Sequence, residues 1–251
     1  MSNMGTTKMS PSNAGNKTLR KTLLGIGLAM AFTLSANATV VTLHSGNGTV
    51  GGTDSLITFL DGPLATDFAL LTPANFLSAQ TGTAASIINR NPAWLASLPE
   101  DANAKWIGTN SSAQTLSAGD TGLYAMSFFL PFPVFSATLD LHYAVDNSLG
   151  GANNAGVFLN GTALSPTPGA GSYNVDTAYS NANIGSLLQP GVNWIYFDAV
   201  NLGGPAGLIF TATITTADNT AAPEPATFAM FGGALVLIGS LRRFRSARSK
   251  S

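Results

Sequence analysis

The chain has 251 residues, a formal net charge of −1 and no cysteine. Without cysteine it has no disulfide, no thiolate metal site and no thiol nucleophile. Its basic residues are concentrated at the two ends, since only Arg90 and Lys105 lie between residues 39 and 225, a stretch that holds all 12 acidic residues. Such an acidic body argues against binding of nucleic acid or anionic lipid, which needs clustered Lys and Arg. Neutral sugars and cations remain open as ligands.

The N-terminal residues have the pattern of a signal peptide. Lys17, Arg20 and Lys21 precede an apolar run over residues 23–34, and the small residues Ala36 and Ala38 follow at the two positions that a signal peptidase reads. We therefore predict a signal peptide over residues 1–38, used by the Sec machinery and cut after Ala38. The alternative is a retained membrane helix, but about 12 apolar residues are too few to span a bilayer.

The C-terminal 29 residues have three parts in a fixed order. Pro223-Glu224-Pro225 is an extended, rigid triplet, because two prolines fix φ and remove two backbone donors. An uncharged apolar run follows over residues 226–241, and its length as a helix would be about 24 Å, slightly short of the hydrocarbon core. Arg242, Arg243 and Arg245 begin a basic end that should stay on the cytoplasmic side of the membrane.

This tail resembles the PEP-CTERM sorting signal of exported proteins in Gram-negative bacteria that make extracellular polysaccharide. The resemblance covers residues 223–251 and implies cleavage by an exosortase, a membrane-embedded processing enzyme. It further implies a transient stay in the inner membrane through the C-terminal helix, and then release or transfer to the cell envelope. The alternative is an ordinary membrane anchor, which would normally have nearer 20 apolar residues.

The body between the two ends is predicted to be all-β. Residues 139–146 alternate almost perfectly, with Leu139, Leu141, Tyr143 and Val145 on one face and Asp140, His142 and Asp146 on the other, solvent-facing side. Asn160-Gly161 is a strong hairpin signal. Further strands are predicted at 39–43, 55–60, 157–159, 192–197 and 208–215. Helix is limited to a turn or two at 73–80 and 184–188. Short strands separated by Gly, Asn and Pro favour an antiparallel β-sandwich or jelly roll.

A second resemblance concerns this body. Segments such as Asn91-Pro-Ala-Trp94, Val157-Phe-Leu-Asn160-Gly161 and Asn201-Leu-Gly-Gly204 are similar to successive landmarks of galactose-binding-like jelly-roll domains. Such domains often accompany glycoside hydrolases as carbohydrate-binding modules, although no ligand-binding residue can be carried over. The expected organisation is a galactose-binding-like domain at 39–216, a linker at 217–222 and the sorting signal at 223–251.

Catalytic motifs are mostly absent from the sequence. The glycine pattern at 46–51 matches a dinucleotide fingerprint, but no helix follows it, and a glycine-rich turn is the better interpretation. Neither His44 nor His142 accompanies a Gly-x-Ser-x-Gly elbow, so we expect no catalytic histidine. Two carboxylates on facing strands could hydrolyse a glycosidic bond, but the spacing of the acidic residues does not support such a pair, and Glu100-Asp101 is interpreted as a turn.

Two kinds of binding residue are considered. Trp106 and Trp194 are assigned to the core, whereas Trp94, which follows Pro92 in a predicted loop, is the candidate for an exposed platform that stacks on sugar rings. The aspartates serve solubility or one structural Ca²⁺ site made of Asp, Asn and carbonyl oxygens. No EF-hand spacing occurs, and the ligands of such a site are not assigned.

The sequence therefore predicts an exported, non-enzymatic protein of the cell envelope or extracellular matrix. Its role would be structural or would involve binding to exopolysaccharide in a biofilm. One alternative is a secreted carbohydrate-active enzyme or its accessory binding module. Another is a plain anchored envelope protein without a ligand.

Overall fold

The structure is a computed structural model that describes residues 38–115 and 120–218. The predicted signal peptide, apart from Ala38, and the whole predicted sorting signal lie outside the described residues. The elements in chain order are β1 (Ala38–His44), β2 (Thr53–Leu64), α1 (Pro73–Gln80), β3 (Thr83–Ile87), β4 (Ile107–Gly108), β5 (Asp120–Leu130), β6 (Val134–Asp146), β7 (Ser148–Leu149), β8 (Val157–Leu159), β9 (Thr162–Ala163), β10 (Thr177–Asn181), a 3-10 helix (Gly185–Leu187), β11 (Gly191–Val200) and β12 (Gly207–Asp218).

The twelve strands found in the described part of the chain form one antiparallel sheet. Its order is β10-β6-β12-β4-β3-β2-β5-β11-β8-β9, with β1 paired to β12 and β7 paired to β11. The all-β, antiparallel fold class predicted from the sequence is therefore confirmed. Strand β12 pairs with β1 from Ala38↔Ala217 onward and extends to Asp218, two residues into the stretch expected to be a linker.

The sheet curls so that its two halves face one another across one core. The half with β6 and β12 contributes Leu141 and Phe210, and the half with β5 and β11 contributes Met126 and Phe197. The rings of Phe197 and Phe210 stack between the halves with their centroids 4.1 Å apart. On β6, the four residues predicted to face inward are fully buried, which confirms that assignment.

The outer face of each half is also partly covered. A long segment between β3 and β5 packs Trp94, Leu98 and Trp106 over Ala144 of β6 and Ile209 of β12. The other half is covered by α1, whose buried residues Phe76 and Ala79 pack against β5, β8 and β11. The expectation that Asp146 lies on a solvent face is therefore wrong, because this covering segment leaves it only 8% exposed.

Local sequence explains how α1 and the β8–β9 hairpin form. Helix α1 begins with Pro73 at its first position, and the backbone N–H of Thr72 donates to Oδ1 of Asn75 at 2.8 Å. Asn160 and Gly161 both have positive φ, 49° and 80°, as a tight two-residue hairpin turn requires. Both predictions, the short helix at 73–80 and the hairpin, are confirmed.

The glycine-rich loop at 46–51 wraps around a carboxylate of its own chain. Asp54 is buried, and its Oδ2 accepts the backbone N–H groups of Gly46 at 2.7 Å and Asn47 at 3.0 Å. Its Oδ1 accepts those of Leu56 and Ile57. No helix follows the loop, so the turn interpretation is confirmed and the anion-binding N–H groups are already occupied.

Candidate functional site

The outer face of β11 presents a graded series of side chains. Because side chains alternate along a strand, Val192, Trp194, Tyr196 and Asp198 all point to this face. Val192 is 50% exposed, Trp194 is partly buried, and Tyr196 and Asp198 are fully buried beneath elements that cover the sheet. The strip thus runs from an exposed apolar end, through two aromatic rings, to a buried carboxyl group.

A pocket of about 330 Å³ opens between α1 and this strip. Its lining combines apolar and aromatic side chains with two carboxamides and one phenol, and it contains no carboxylate and no cation. The lining residues are Leu71, Pro73, Phe76, Leu77, Gln80, Asn160, Gly161 and Tyr196. We call this the α1–β11 pocket.

The polar groups of the pocket are held in place by hydrogen bonds. Nε2 of Gln80 donates to the hydroxyl of Tyr196 at 2.5 Å, which joins the end of α1 to the middle of β11. Burial raises the pKa of Tyr196, so its hydroxyl is protonated at neutral pH. The carboxamide of Asn160 donates to the carbonyl of Leu187 at 2.8 Å and accepts the backbone N–H of Trp194 at 2.9 Å.

Aromatic rings surround these polar groups. The ring of Phe76 lies 4.8 Å from the ring of Tyr196 in an edge-to-face arrangement. Trp194 lies 6.4 Å from Tyr196 in a stacked arrangement and extends the aromatic surface beyond the pocket. Of the two tryptophans assigned to the core, Trp106 is buried and only Trp194 is partly accessible.

Trp94 is not an exposed platform, and that prediction is wrong. Its side chain is 4% exposed, its ring lies 4.4 Å from the ring of Trp106, and its Nε1 donates to Oδ2 of Asp146 at 2.8 Å. The reason is tertiary: the loop around Pro92 folds back over the outer face of β6 and β12. No sugar ring can stack on this indole in the folded protein.

The two histidines lie in different settings. His44 contacts the backbone carbonyl of Ser45 at 3.1 Å. Nδ1 of His142 lies 2.9 Å from Oδ2 of Asp176 and 3.2 Å from Oε2 of Glu100. In the described ranges, this is the one group of three or more His and carboxylate side chains whose ligand atoms all lie within 4.8 Å of one another, close enough to hold a metal. Glu100, which was interpreted as part of a turn, therefore also contacts His142, and His142 is partly buried.

The Glu100, His142 and Asp176 group is a poor match to the expected Ca²⁺ site. Ca²⁺ takes six to eight oxygen ligands, whereas the central atom here is an imidazole nitrogen. The arrangement suits hydrogen bonding of His142 to the two carboxylates. That neither histidine is catalytic stays a prediction.

One pair of carboxyl groups does lie close together, although the spacing of the acidic residues did not predict it. Asp67, after β2, and Asp198, on β11, are within hydrogen-bonding range of each other. Both are buried, at 8% and 0% exposure. A glycosidic bond would have to reach both groups to be hydrolysed by them, and neither is open to a polysaccharide.

The sorting residues Pro223, Glu224, Pro225, Arg242, Arg243 and Arg245, and the cleavage residue Ala36, lie outside the described residues. Ala38, the other residue of the predicted cleavage site, is the first residue of β1. Within residues 38–115 and 120–218, no helix has the length and apolar character needed to cross a bilayer.

Comparison with known proteins gives structural similarity alone. No family model and no curated protein matches the sequence. Similar solved structures include a family 35 carbohydrate-binding module from Clostridium thermocellum, with 12% identity, a TM-score of 0.33, and coverage of 70% of this chain and 97% of that one. A family 35 module from Cellvibrio japonicus has 13% identity and a TM-score of 0.31, with coverage of 72% and 99%. An exo-β-1,3-galactanase from Phanerochaete chrysosporium has 18% identity and a TM-score of 0.29, with coverage of 70% of this chain and 29% of that one.

Proposed function

We propose that this protein is exported, sorted through its C-terminal tail to the cell envelope or extracellular matrix, and binds a neutral polysaccharide there without hydrolysing it. The observation that carries the binding role is the α1–β11 pocket, which is concave, partly aromatic and free of charged side chains. Its volume of about 330 Å³ is at the lower end of the range for ligand pockets, about 300 to 1,000 Å³. A pocket of this size suits one sugar unit rather than a long segment of chain.

The chemistry of the lining matches a sugar in two ways. The partly accessible ring of Trp194, beside the buried rings of Phe76 and Tyr196, offers apolar surface to the C–H face of a pyranose ring. Gln80 has a further N–H and a carbonyl oxygen besides the N–H that it gives to Tyr196, and a carboxamide can both donate to and accept from sugar hydroxyls. Neutral sugars are favoured over acidic ones, because no Lys or Arg lines the pocket.

The same lining supports binding rather than hydrolysis. Most glycoside hydrolases use two carboxyl groups on either side of the scissile bond, and the α1–β11 pocket has none. The alternative of a secreted carbohydrate-active enzyme therefore has no pair of open carboxylates to support it at this pocket.

The cellular part of the proposal rests on the sequence of the two ends. A signal peptide over residues 1–38 would export the chain, and the tail would hold it in the inner membrane until an exosortase cleaves it. The acidic body would then remain soluble near a neutral matrix, because it lacks the basic clusters that bind anionic surfaces.

The binding role is tested by incubating the purified protein with a panel of neutral and acidic polysaccharides. We expect retention on at least one neutral polysaccharide and no new reducing ends. Gln80→Ala and Trp194→Ala should weaken retention about fivefold or more, because each removes a contact worth about 1 kcal/mol.

Phe135→Ala is the matched control, since Phe135 is an aromatic residue that is 75% exposed and does not line the pocket. It should leave retention unchanged. New reducing ends would favour the enzyme alternative, and absence of retention on every polysaccharide would favour an envelope protein without a ligand.

A further inference from the structure

Asp198 is a buried carboxyl group with an unusual lack of partners. It lies on the outer face of β11 at 0% exposure, and neither Oδ1 nor Oδ2 has a hydrogen-bond partner among the described residues. The group beside it is the carboxyl of Asp67, which can only accept when it is ionised. Two carboxyl groups thus face each other in the interior, and no donor of the described residues other than these carboxyls lies between them.

The hydrogen-bond donors around this pair bind the carboxyl group of Asp67 and not that of Asp198. The backbone N–H of Asn153 donates to its Oδ2 at 3.1 Å, and Nδ2 of Asn154 donates to its Oδ1 at 3.2 Å. Asp198 is instead tied through its backbone to the loop at 150–156: its N–H donates to the carbonyl of Gly156 at 2.9 Å, and its carbonyl accepts the N–H of Gly150 at 2.7 Å. The loop therefore closes over both aspartates and positions them without neutralising them.

An uncompensated buried carboxylate is costly, so a proton or a cation must balance the pair. No basic side chain of the described residues neutralises the pair, because the two in this part of the chain bind backbone carbonyls elsewhere. Arg90 donates to the carbonyl of Trp94 at 2.6 Å, and Lys105 donates to the carbonyl of Gly46 at 3.0 Å.

We infer that Asp67 and Asp198 hold a divalent cation of the Ca²⁺ class beneath the loop at 150–156. Two carboxylates are hard oxygen ligands of the kind that Ca²⁺ prefers, and Ca²⁺ commonly completes its coordination with carbonyl oxygens and water. An opening of about 300 Å³ lies beside this loop and is lined in part by Gly150, Gly151 and Asn154. The cation supplies the positive charge that the protein lacks at this point.

The site links two segments that are far apart in the chain. Asp67 belongs to the segment between β2 and α1. Asn154 binds this segment at two points, because its Nδ2 donates to Asp67 and its Oδ1 accepts the backbone N–H of Leu71 at 2.8 Å. Leu71 lines the α1–β11 pocket. Removal of the cation would therefore loosen the segment that leads into α1. The cation site itself stands independently of the proposed polysaccharide binding.

The test uses the purified full chain, stripped with EDTA and dialysed. Addition of millimolar CaCl₂ should raise Tm by about 5 °C or more, and equilibrium dialysis should find one tightly bound Ca²⁺ per chain. MgCl₂ should have a smaller effect, because Mg²⁺ demands stricter geometry. Asp198→Asn and Asp67→Asn should each abolish both the shift and the bound ion.

Asp140→Asn is the control, since Asp140 is an exposed carboxylate on β6, and it should keep the full shift. Two results would overturn the inference. One is an unchanged Tm with no ion bound by the wild-type chain. The other is a Ca²⁺ effect that persists in Asp67→Asn. With no ion bound and Asp198→Asn as stable as wild type, the two carboxyl groups share a proton instead. None of these measurements involves a polysaccharide, so failure here is distinct from failure of the binding role.

Discussion

The indole of Trp94 donates a hydrogen bond of 2.8 Å to the carboxyl group of Asp146, and both side chains are buried. Asp146 ends β6, whereas Trp94 belongs to the long segment between β3 and β5. The bond therefore fixes that segment over the outer face of the sheet. It also places a carboxyl group in a partly desolvated position, where its charge state affects stability.

This bond leads to a prediction about pH. Burial raises the pKa of Asp146, and the hydrogen bonds from Trp94 and Asn147 offset part of that rise. A carboxyl whose folded pKa is raised favours folding while it is protonated. Its contribution is therefore lost as pH rises from the unfolded value near 4 through the folded pKa. Asp146→Asn removes this titration, so its free energy of unfolding relative to wild type should increase over that range. Urea unfolding at a series of pH values measures it, and a relative stability that falls with pH would contradict the assignment.

The inner face of the fold was predictable because it depends on local pattern. The alternation from Leu139 to Val145 set the face of β6, and the Asn160-Gly161 turn set the β8–β9 hairpin. The outer faces were not predictable in the same way, since the segments that cover them come from distant parts of the chain. Trp94 was therefore expected to be exposed and is buried, and Asp146 was expected in solvent and lies beneath Trp94.

The candidate sites show the same limit. The α1–β11 pocket joins Gln80 to Tyr196 across 116 residues of sequence, a contact that no local pattern contains. A signal for the cation site was present on β11, where period-two alternation places Asp198 on the same face as Trp194 and Tyr196. A carboxylate within the apolar run from 194 to 200 needs a buried partner, but the sequence does not identify Asp67 as that partner.

A close backbone approach gives a second prediction. A Cβ added at Gly207 would lie 2.7 Å from the ring of Trp94 and 3.1 Å from that of Trp106. Gly207→Ala should therefore destabilise the protein by about 1 to 3 kcal/mol through overpacking. The matched control is Gly169→Ala, whose new Cβ would meet nothing nearer than 3.7 Å. Chemical denaturation of the two variants should separate them, and equal stability would show that the Trp94 segment is not packed as described.

The core gives a third prediction. Leu141 is fully buried between the two halves of the sheet, so Leu141→Ala should cost about 2 to 5 kcal/mol of unfolding free energy. Leu56→Ala is the control, because Leu56 is 54% exposed and should cost far less. If both variants lose the same stability, the assignment of inner and outer faces is wrong.

The last prediction concerns the predicted sorting signal, which lies outside the described residues. Pro223-Glu224-Pro225 would be the recognition element, held at the outer face of the inner membrane by the apolar run at 226–241. A helix of about 24 Å leaves the triplet little freedom to move from the interface. The charge of Glu224 is costly in hydrocarbon and keeps the triplet in the headgroup layer or beyond it. Arg242, Arg243 and Arg245 would fix the orientation.

We therefore expect the mature protein from its native host to lack the tail, as measured by its molecular mass. Glu224→Ala should remove the recognition charge, and replacement of the three arginines by Ser should remove the orientation signal. Both changes should cause the longer, membrane-bound precursor to accumulate. Ser251→Ala, which changes neither the triplet, the apolar run nor an arginine, is the control and should be processed normally. If the native protein keeps residues 242–251 and stays in the membrane, the sorting prediction is wrong and the tail is an anchor.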